Sequence, residues 1–287
     1  MVDYGERQAF NSGRYQRQTM VRDLQNAIGR MLLSYTAAAG APIDREDILP
    51  FVDLLHHVPA GADIDLLLHT GGGDIDATEK IAAMLWSKIG ATGTLRVIVP
   101  DYAKSAGTLL ALAADSVVMS DSSELGPIDV QVVRPEPSGA VTVTAVQHHL
   151  DAFKRWHKAC TDDPSDAAAA LLFAKFEPAI IQAYESVIKR ASQLSDKHLK
   201  EGMFRRGHAG AYTAITAGLL DTNRWLTHSQ MIGQSAAAEI GLNVDYRTGS
   251  DPEWQIWWRI HCHQRLALDP SGARKLFESD PVCLQLH

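Results

Sequence analysis

Cysteine is scarce in this chain. Cys160, Cys262 and Cys283 are odd in number, stand far apart and form no Cys-x-x-Cys pair. That pattern argues against a disulfide framework and against a zinc ribbon, and it suits a reducing compartment. Long apolar runs are missing as well. The longest candidate, Ser105 to Met119, is shorter than the ~20 apolar residues that span a bilayer, and Asp115 interrupts it. The N-terminal residues Met-Val-Asp-Tyr-Gly-Glu-Arg-Gln lack the basic start and apolar core of a signal peptide. The expectation is a cytoplasmic protein with no membrane span. Positive charge is not in excess either. The formal net charge is -7, so nothing in the balance points to a nucleic-acid partner. Internal repeats and low-complexity segments are absent from the sequence.

What is present is an ordinary globular composition. With 287 residues, 46% of them hydrophobic, the chain can build one large core or two modest ones. Residues 1–20 are polar and read as a flexible N-terminal arm. The spacing of Val21, Leu24, Ile28, Leu32 and Tyr35 predicts a helix over 21–39. Pro42 and Asp44 open a second helix, 44–57, with Ile48, Phe51, Val52 and Leu55 on one face. Asp44 is its expected N-cap, with Asp47 three residues on.

The middle of the chain alternates two patterns. Ile64–His69, Thr94–Pro100 and Ser116–Met119 are short apolar runs, read as buried parallel strands. Helical patterns lie between them at Ala77–Ile89, with Ile81, Met84 and Leu85 inward, and from Ser105 to Ala114. Such alternation means βαβ units and a largely parallel sheet. Residues 134–143, with Pro135, Pro137, Ser138 and Gly139, read as a surface loop. A long helical stretch follows, clearest at Phe176, Ile180, Tyr184, Val187 and Ala191. Ser235–Ile240 reads as a short helix closed by Gly241. The tail from Asp251 carries Trp254, Trp257 and Trp258 at helical spacing, an aromatic face that needs a packing partner.

Two strand-to-helix junctions carry candidate chemistry. At His69-Thr70-Gly71-Gly72-Gly73-Asp74 the glycines admit backbone angles closed to other residues and let a ligand approach the main chain. N–H groups at such a turn can hold an anion or oxyanion. The alternatives are a plain tight turn, or a phosphate loop that lacks the Gly-Lys-Ser/Thr ending. At Asp101-Tyr102-Ala103-Lys104-Ser105-Ala106-Gly107-Thr108 a serine stands between a strand and a helix, followed by small residues. It can be an exposed nucleophile or simply a helix N-cap.

Read together, these motifs carry a resemblance. Leu-His-Thr-Gly-Gly-Gly (68–73), Val-Pro-Asp-Tyr-Ala-Lys-Ser-Ala-Gly-Thr (99–108), Leu-Ala-Ala-Asp (112–115) and Leu-Gly-Pro-Ile-Asp (125–129) resemble the serine dehydrogenase proteinase family in content, order and spacing. That family belongs to the Clp-protease/crotonase superfold, alongside signal peptide peptidase A. A fainter match runs through Leu226-Thr227-His228 and Ala237–Leu242, so the resemblance covers roughly residues 20–245. It implies an α/β spiral of βαβ units with leading N-terminal helices over 21–245, followed by a Trp-bearing extension over 246–287. It implies an ATP-independent serine peptidase acting on a peptide or unfolded-protein substrate, a homo-oligomer, with no cofactor. Ser105 is the implied nucleophile, Asp129 and His228 complete the triad, and the N–H groups of Gly73 and Ala106 form the oxyanion hole, with Gly71 and Gly72 in the binding turn.

Alternatives remain open at several of these positions. Asp129 can instead support the turn after Pro127, and His228 can be a surface histidine. Signal peptide peptidase A uses a Ser–Lys dyad, and Lys154 or Lys158 lies at a suitable distance after Ser105. Lys104 is adjacent, with its side chain expected to point elsewhere. The chain also departs from the family pattern: Gly71-Gly72-Gly73 replaces Pro-Gly-Gly, and Lys104 fills a commonly apolar position. His261-Cys262-His263 could hold a metal, but the three fan out on a helix and no further ligand is evident, so none is expected. His56-His57 and His148-His149 read as surface pairs. The rival functions are a crotonase-like acyl-CoA enzyme and an inactive scaffold of the same fold.

Overall fold

The computed structural model describes residues 11–135, 139–207 and 212–287. The chain runs α1 (Ser12–Ile28), β1 (Met31–Ala37), α2 (Ile48–His56), β2 (Ile64–His69), α3 (Ile75–Ile89), β3 (Leu95–Ile98), β4 (Tyr102–Ala103), α4 (Ala106–Leu112) and β5 (Ser116–Met119). It continues through β6 (Glu124–Leu125), β7 (Gln131–Pro135), β8 (Val141–Ala145), α5 (Val146–Asp162), α6 (Ala167–Phe173), α7 (Pro178–Glu201), α8 (Tyr212–Leu220) and α9 (Gln234–Ile240). It ends with β9 (Val244–Tyr246), α10 (Pro252–Ser271), β10 (Lys275–Glu278) and β11 (Cys283–Leu286).

Seven strands form the central sheet in the order β11-β10-β1-β2-β3-β5-β9. From β1 to β9 neighbouring strands are parallel, as the βαβ reading requires. At the other edge β10 and β11 add antiparallel, so the C-terminal residues extend the same sheet. Strand side chains alternate between faces, and here the alternation feeds two cores. Leu33, Leu66, Leu68, Val97 and Val117 pack with α2, α3 and α4 on one side. Leu32, Leu67, Ile98 and Val118 meet Val21 and Leu24 of α1 and Trp254, Trp257 and Ile260 of α10 on the other. The architecture is therefore a mixed α/β fold, a central sheet flanked by helices on both faces. Trp254 and Trp257 have found the packing partner their spacing called for, whereas Trp258 faces solvent.

Local signals explain most boundaries. Asp44 and Asp47 form a reciprocal capping box on a 3₁₀ turn, Arg45–Asp47, that leads into α2. On α2 itself Leu54 is buried where Val52 had been expected, and Val52 faces out. Gly241 ends α9 in the left-handed conformation.

The helix expected over 21–39 is corrected. α1 starts at Ser12, and Gly29, also left-handed, stops it. Met31–Ala37 is the strand β1, so Leu32 and Tyr35 are strand residues and belong to no helical face. The polar start of α1, residues 12–20 of the expected arm, is held by burial of Arg17, whose Nε donates to Glu278 Oε2 at 2.8 Å. The rest of the arm, residues 1–10, lies outside the described residues. The loop expected over 134–143 is a β7–β8 hairpin at its described positions, with residues 136–138 outside them.

Candidate functional site

The two junctions singled out in the sequence lie side by side at the C-terminal ends of β2 and β3. In an open parallel sheet this edge is where ligands bind. Backbone hydrogen bonds stitch the junctions together: Thr70 N–H donates to Tyr102 O at 3.0 Å, and Lys104 N–H donates to Thr70 O at 3.0 Å. β4 and β6 pair beyond the main sheet and carry the chain over this edge.

The glycine turn is set by close approach. Ile43 N–H donates to Gly72 O at 2.7 Å, and Asp74 N–H donates to Ile43 O at 2.8 Å. Gly73's own N–H takes no part in that bridge. Gly73 has φ 152°. A Cβ there would stand 2.3 Å from Ile43 O. Gly72, with φ 101°, packs on the neighbouring junction: a Cβ would stand 2.8 Å from Ser105 Cβ and 2.7 Å from Lys104 O. Gly72 and Gly73 therefore answer a steric demand, whereas a Cβ at Gly71 would meet nothing within 4 Å. Asp74 caps α3, accepting from Asp76 N–H and Ala77 N–H.

Ser105 stands at the second position of a tight turn closed by Gly107 N–H donating to Lys104 O at 2.7 Å. Its φ 51° and ψ −115° match a type II′ turn, whose second position favours glycine. Among the described residues no other non-glycine residue has positive φ. Its hydroxyl makes no capping bond to α4, so the N-cap reading does not explain it. A strained serine at a strand-to-helix turn presents its oxygen outward, above the first N–H groups of the helix. Ala106 opens α4, where its N–H has no intrahelical acceptor.

Asp129 and His228 come together from distant parts of the chain. His228 Nδ1 lies 2.6 Å from Asp129 Oδ1. A carboxylate accepts here, so Nδ1–H is the donor, and in the neutral imidazole this tautomer leaves the Nε2 lone pair available. Asp129 is buried and His228 is partly exposed. Both line a cavity of about 970 Å³ together with Ser105 and Gly71–Gly73. Its walls include Ile75, Leu109, Ile128, Val130, Val133 and Val187. Ser105 and His228 share this cavity without a hydrogen bond between them. Lys154 and Lys158 do not line it. Lys158 instead pairs with Asp162 on the exposed side of α5 at 2.7 Å, and Lys154 is exposed.

Lys104 has a part that its sequence position does not disclose. Nζ turns away from the cavity and donates to Glu124 Oε2 at 2.8 Å and Leu125 O at 3.2 Å. It also reaches Ser229 O at 3.4 Å and Gln230 O at 3.5 Å. The residue before Ser105 thus grips the residues just after His228. Leu125 and Ile232 reinforce the same junction by exchanging two backbone hydrogen bonds of 3.0 Å. Beneath α4, His198 is buried with Nδ1 2.8 Å from Leu109 O, and burial lowers its pKa to about 4. His56, His57 and His148 are exposed, and His149 is partly buried.

The profile of the ClpP-like SDH-type serine proteinases matches residues 41–155. That segment is similar to this family. It contains the glycine turn, Ser105 and Asp129, while His228 lies beyond it. An uncharacterized protein of Methanocaldococcus jannaschii is 34% identical over 203 residues, covering 70% of this chain and 59% of that protein. A second uncharacterized protein of the same organism is 42% identical over 89 residues, 31% of this chain and 28% of its own. The chain thus spans less than two thirds of either relative. Among solved structures, one variant of the 1510-N membrane-bound stomatin-specific protease aligns at TM-score 0.45 and 14% identity, covering 74% of this chain and 76% of that one. Another variant, in complex with a substrate peptide, aligns at TM-score 0.30 and 15% identity, over 80% and 95%. Among the described residues no helix is long and apolar enough to cross a membrane.

Proposed function

We propose that this chain is an ATP-independent serine peptidase in which Ser105 attacks, His228 moves the proton, Asp129 orients the imidazole, and the N–H groups of Gly73 and Ala106 receive the oxyanion. The observation that carries the reading is the Asp129–His228 pair, which opens on the same cavity as a strained Ser105 and the glycine turn.

Each step follows from that arrangement. A peptide lies in the cavity with an apolar side chain against Leu109, Ile128 and Val187. Ser105 Oγ adds to the scissile carbonyl carbon while its proton passes to His228 Nε2. The imidazolium that forms is held by Asp129 through Nδ1–H. The carbonyl oxygen becomes an oxyanion between the two backbone donors, which are fixed before the reaction and need no reorganisation. Collapse of the adduct breaks the C–N bond, and Nε2–H protonates the leaving amine. Water then repeats the sequence on the acyl-serine. The hydrogen bond from Ser105 to His228 forms as substrate fills the cavity, a common tightening between free and bound enzyme.

Two further points support this reading over its rivals. An acyl-CoA enzyme of the superfold has no use for a serine held at the second turn. A Ser–Lys dyad needs a desolvated amine beside Ser105, and the two candidate lysines are exposed elsewhere. The cysteines, all free, fit a reducing cytoplasm, and a homo-oligomer is part of the proposal. The test is labelling by a fluorophosphonate probe, read by intact mass, beside turnover of a fluorogenic peptide. The wild-type chain should take one probe and cleave the peptide, and Ser105→Ala should do neither while keeping its fold. A folded wild-type chain that takes no probe would leave the scaffold reading standing.

A further inference from the structure

Beneath the two catalytic junctions, on the α10 side of the sheet, lies a cluster that the peptidase chemistry does not use. His69 ends β2, Asp101 precedes β4, and His261 projects from the middle of α10. One ligand atom from each lies within 4.8 Å of the others. Both histidines are buried, at 0% and 3% exposure, and the Nδ1 of each has no hydrogen-bond partner. Two adjacent buried imidazoles with idle nitrogens are costly unless something occupies the space between them. Tyr102 packs on His69 at 4.1 Å between ring centroids, and Trp258 lies 5.7 Å from His261, so the cluster has aromatic walls.

We propose that His69, Asp101 and His261 form a binding site for a borderline divalent cation, with Zn²⁺ the best match. Two imidazoles and one carboxylate are a donor set that suits this ion, and three protein ligands leave room for a fourth from solvent. Tetrahedral coordination at about 2.1 Å places ligand atoms about 3.4 Å apart, so closure needs a modest rotation, and Asp101 is free enough to supply it. The neighbouring Arg265 shows that the site draws positive charge. Its guanidinium lies 2.6 Å from His69 Nε2 and 3.8 Å from Asp101 Oδ2. With that donor in place His69 carries its proton on Nδ1. Binding a metal there moves the proton to Nε2 and displaces Arg265, whose partly exposed side chain can swing into solvent. The ion and Arg265 are thus alternative counter-charges for one cluster.

The placement gives the ion a role. His69 precedes Thr70, and Asp101 precedes Tyr102, the two residues whose backbones stitch the junctions together. A cation held there ties both to α10, clamping the C-terminal helix against the turns that carry Gly72 and Ser105.

Zinc binding tests the proposal independently of peptidase activity. The chain is stripped with EDTA, titrated with Zn²⁺ against a chromophoric chelator, and its retained metal counted after gel filtration. One Zn²⁺ per chain is expected, with a rise in melting temperature. His261→Gln and Asp101→Asn should each weaken binding by at least about tenfold. Arg265→Ala should strengthen it, which keeps the test informative if a ligand variant fails to fold. Asp129→Asn should leave binding unchanged. Absence of Zn²⁺ from the wild-type chain, or binding that survives His261→Gln and Asp101→Asn but falls in Asp129→Asn, would overturn the assignment.

Discussion

Replacing Ser105 by glycine and by alanine should separate what the residue costs the fold from what it does for chemistry. Ser105 holds φ 51° and ψ −115°, a conformation natural to glycine and strained for any residue with a Cβ. Such strain costs about 1–3 kcal/mol. Alanine keeps the Cβ and so keeps the strain, whereas glycine removes it. Glycine also loses more conformational freedom on folding, which offsets about 0.5–1 kcal/mol of the gain. The glycine variant should therefore be the more stable of the two, by up to about 2.5 kcal/mol. For a chain of this size that separates the melting temperatures by a few degrees, at about 2–4 °C per kcal/mol. Both variants lack the hydroxyl, so both should lose on the order of 10⁶-fold in kcat. The assay is thermal unfolding by circular dichroism, run beside peptide cleavage on the same samples. A glycine variant melting at or below the alanine variant would show that the turn stores no strain at Ser105. Ser105 would then occupy the turn at no cost to the fold.

Three further outcomes follow from the same geometry. Gly73→Ala forces a Cβ against Ile43 and misaims one oxyanion donor, so kcat should fall by about 10²–10³-fold, with loss of KM alone counting against the donor role. His228→Ala should remove peptide cleavage while Lys154→Ala and Lys158→Ala keep most of it, and the reverse pattern in folded protein would move the base to a lysine. In EDTA, stability should fall as the pH drops from 6.5 towards 4. Burial depresses the folded pKa of His69 to about 2 and those of His198 and His261 to about 4, so the unfolded chain binds protons first. Each histidine adds a slope of up to about 1.4 kcal/mol per pH unit. Urea midpoints across that range should show the slope and its reduction in His198→Gln, and an unchanged slope in that variant would mean that His198 is not buried neutral.

How much of this was legible in the sequence depended on distance along the chain. The strands at 64–69, 95–98 and 116–119 and the helices between them announced themselves through periodicity and glycine stops, because those signals are local. The two junctions were readable for the same reason. The helix expected over 21–39 failed because apolar spacing alone does not register Gly29, where the helix ends and β1 begins. Residues 12–20 looked like a loose arm because their anchor, Glu278, lies at the other end of the chain. Lys104 looked like a misplaced charge in a commonly apolar position for a similar reason, since its partners at 124–125 and 229–230 are far from it in sequence.

Lys104 and His261 show what such distant partners can change. Removing the Lys104 charge would leave Glu124 and three backbone oxygens without their shared donor, at the point where the Ser105 turn meets the His228 segment. A polar residue in an apolar position is thus explained by the second junction it holds in place. Cys262 and His263, the neighbours of His261 in sequence, offer no site with it because the three fan out around a helix. Folding gives it other neighbours: His69, two residues before the glycine turn, and Asp101, four before the serine. Both ligands sit where they do because β2 and β3 end at the same edge, so the topology that assembles the cavity on one side of the sheet also assembles the cluster on the other. A cation at that cluster would then act on the turns that carry Gly72 and Ser105 through the shortest path the chain provides, the single residue between His69 and Gly71.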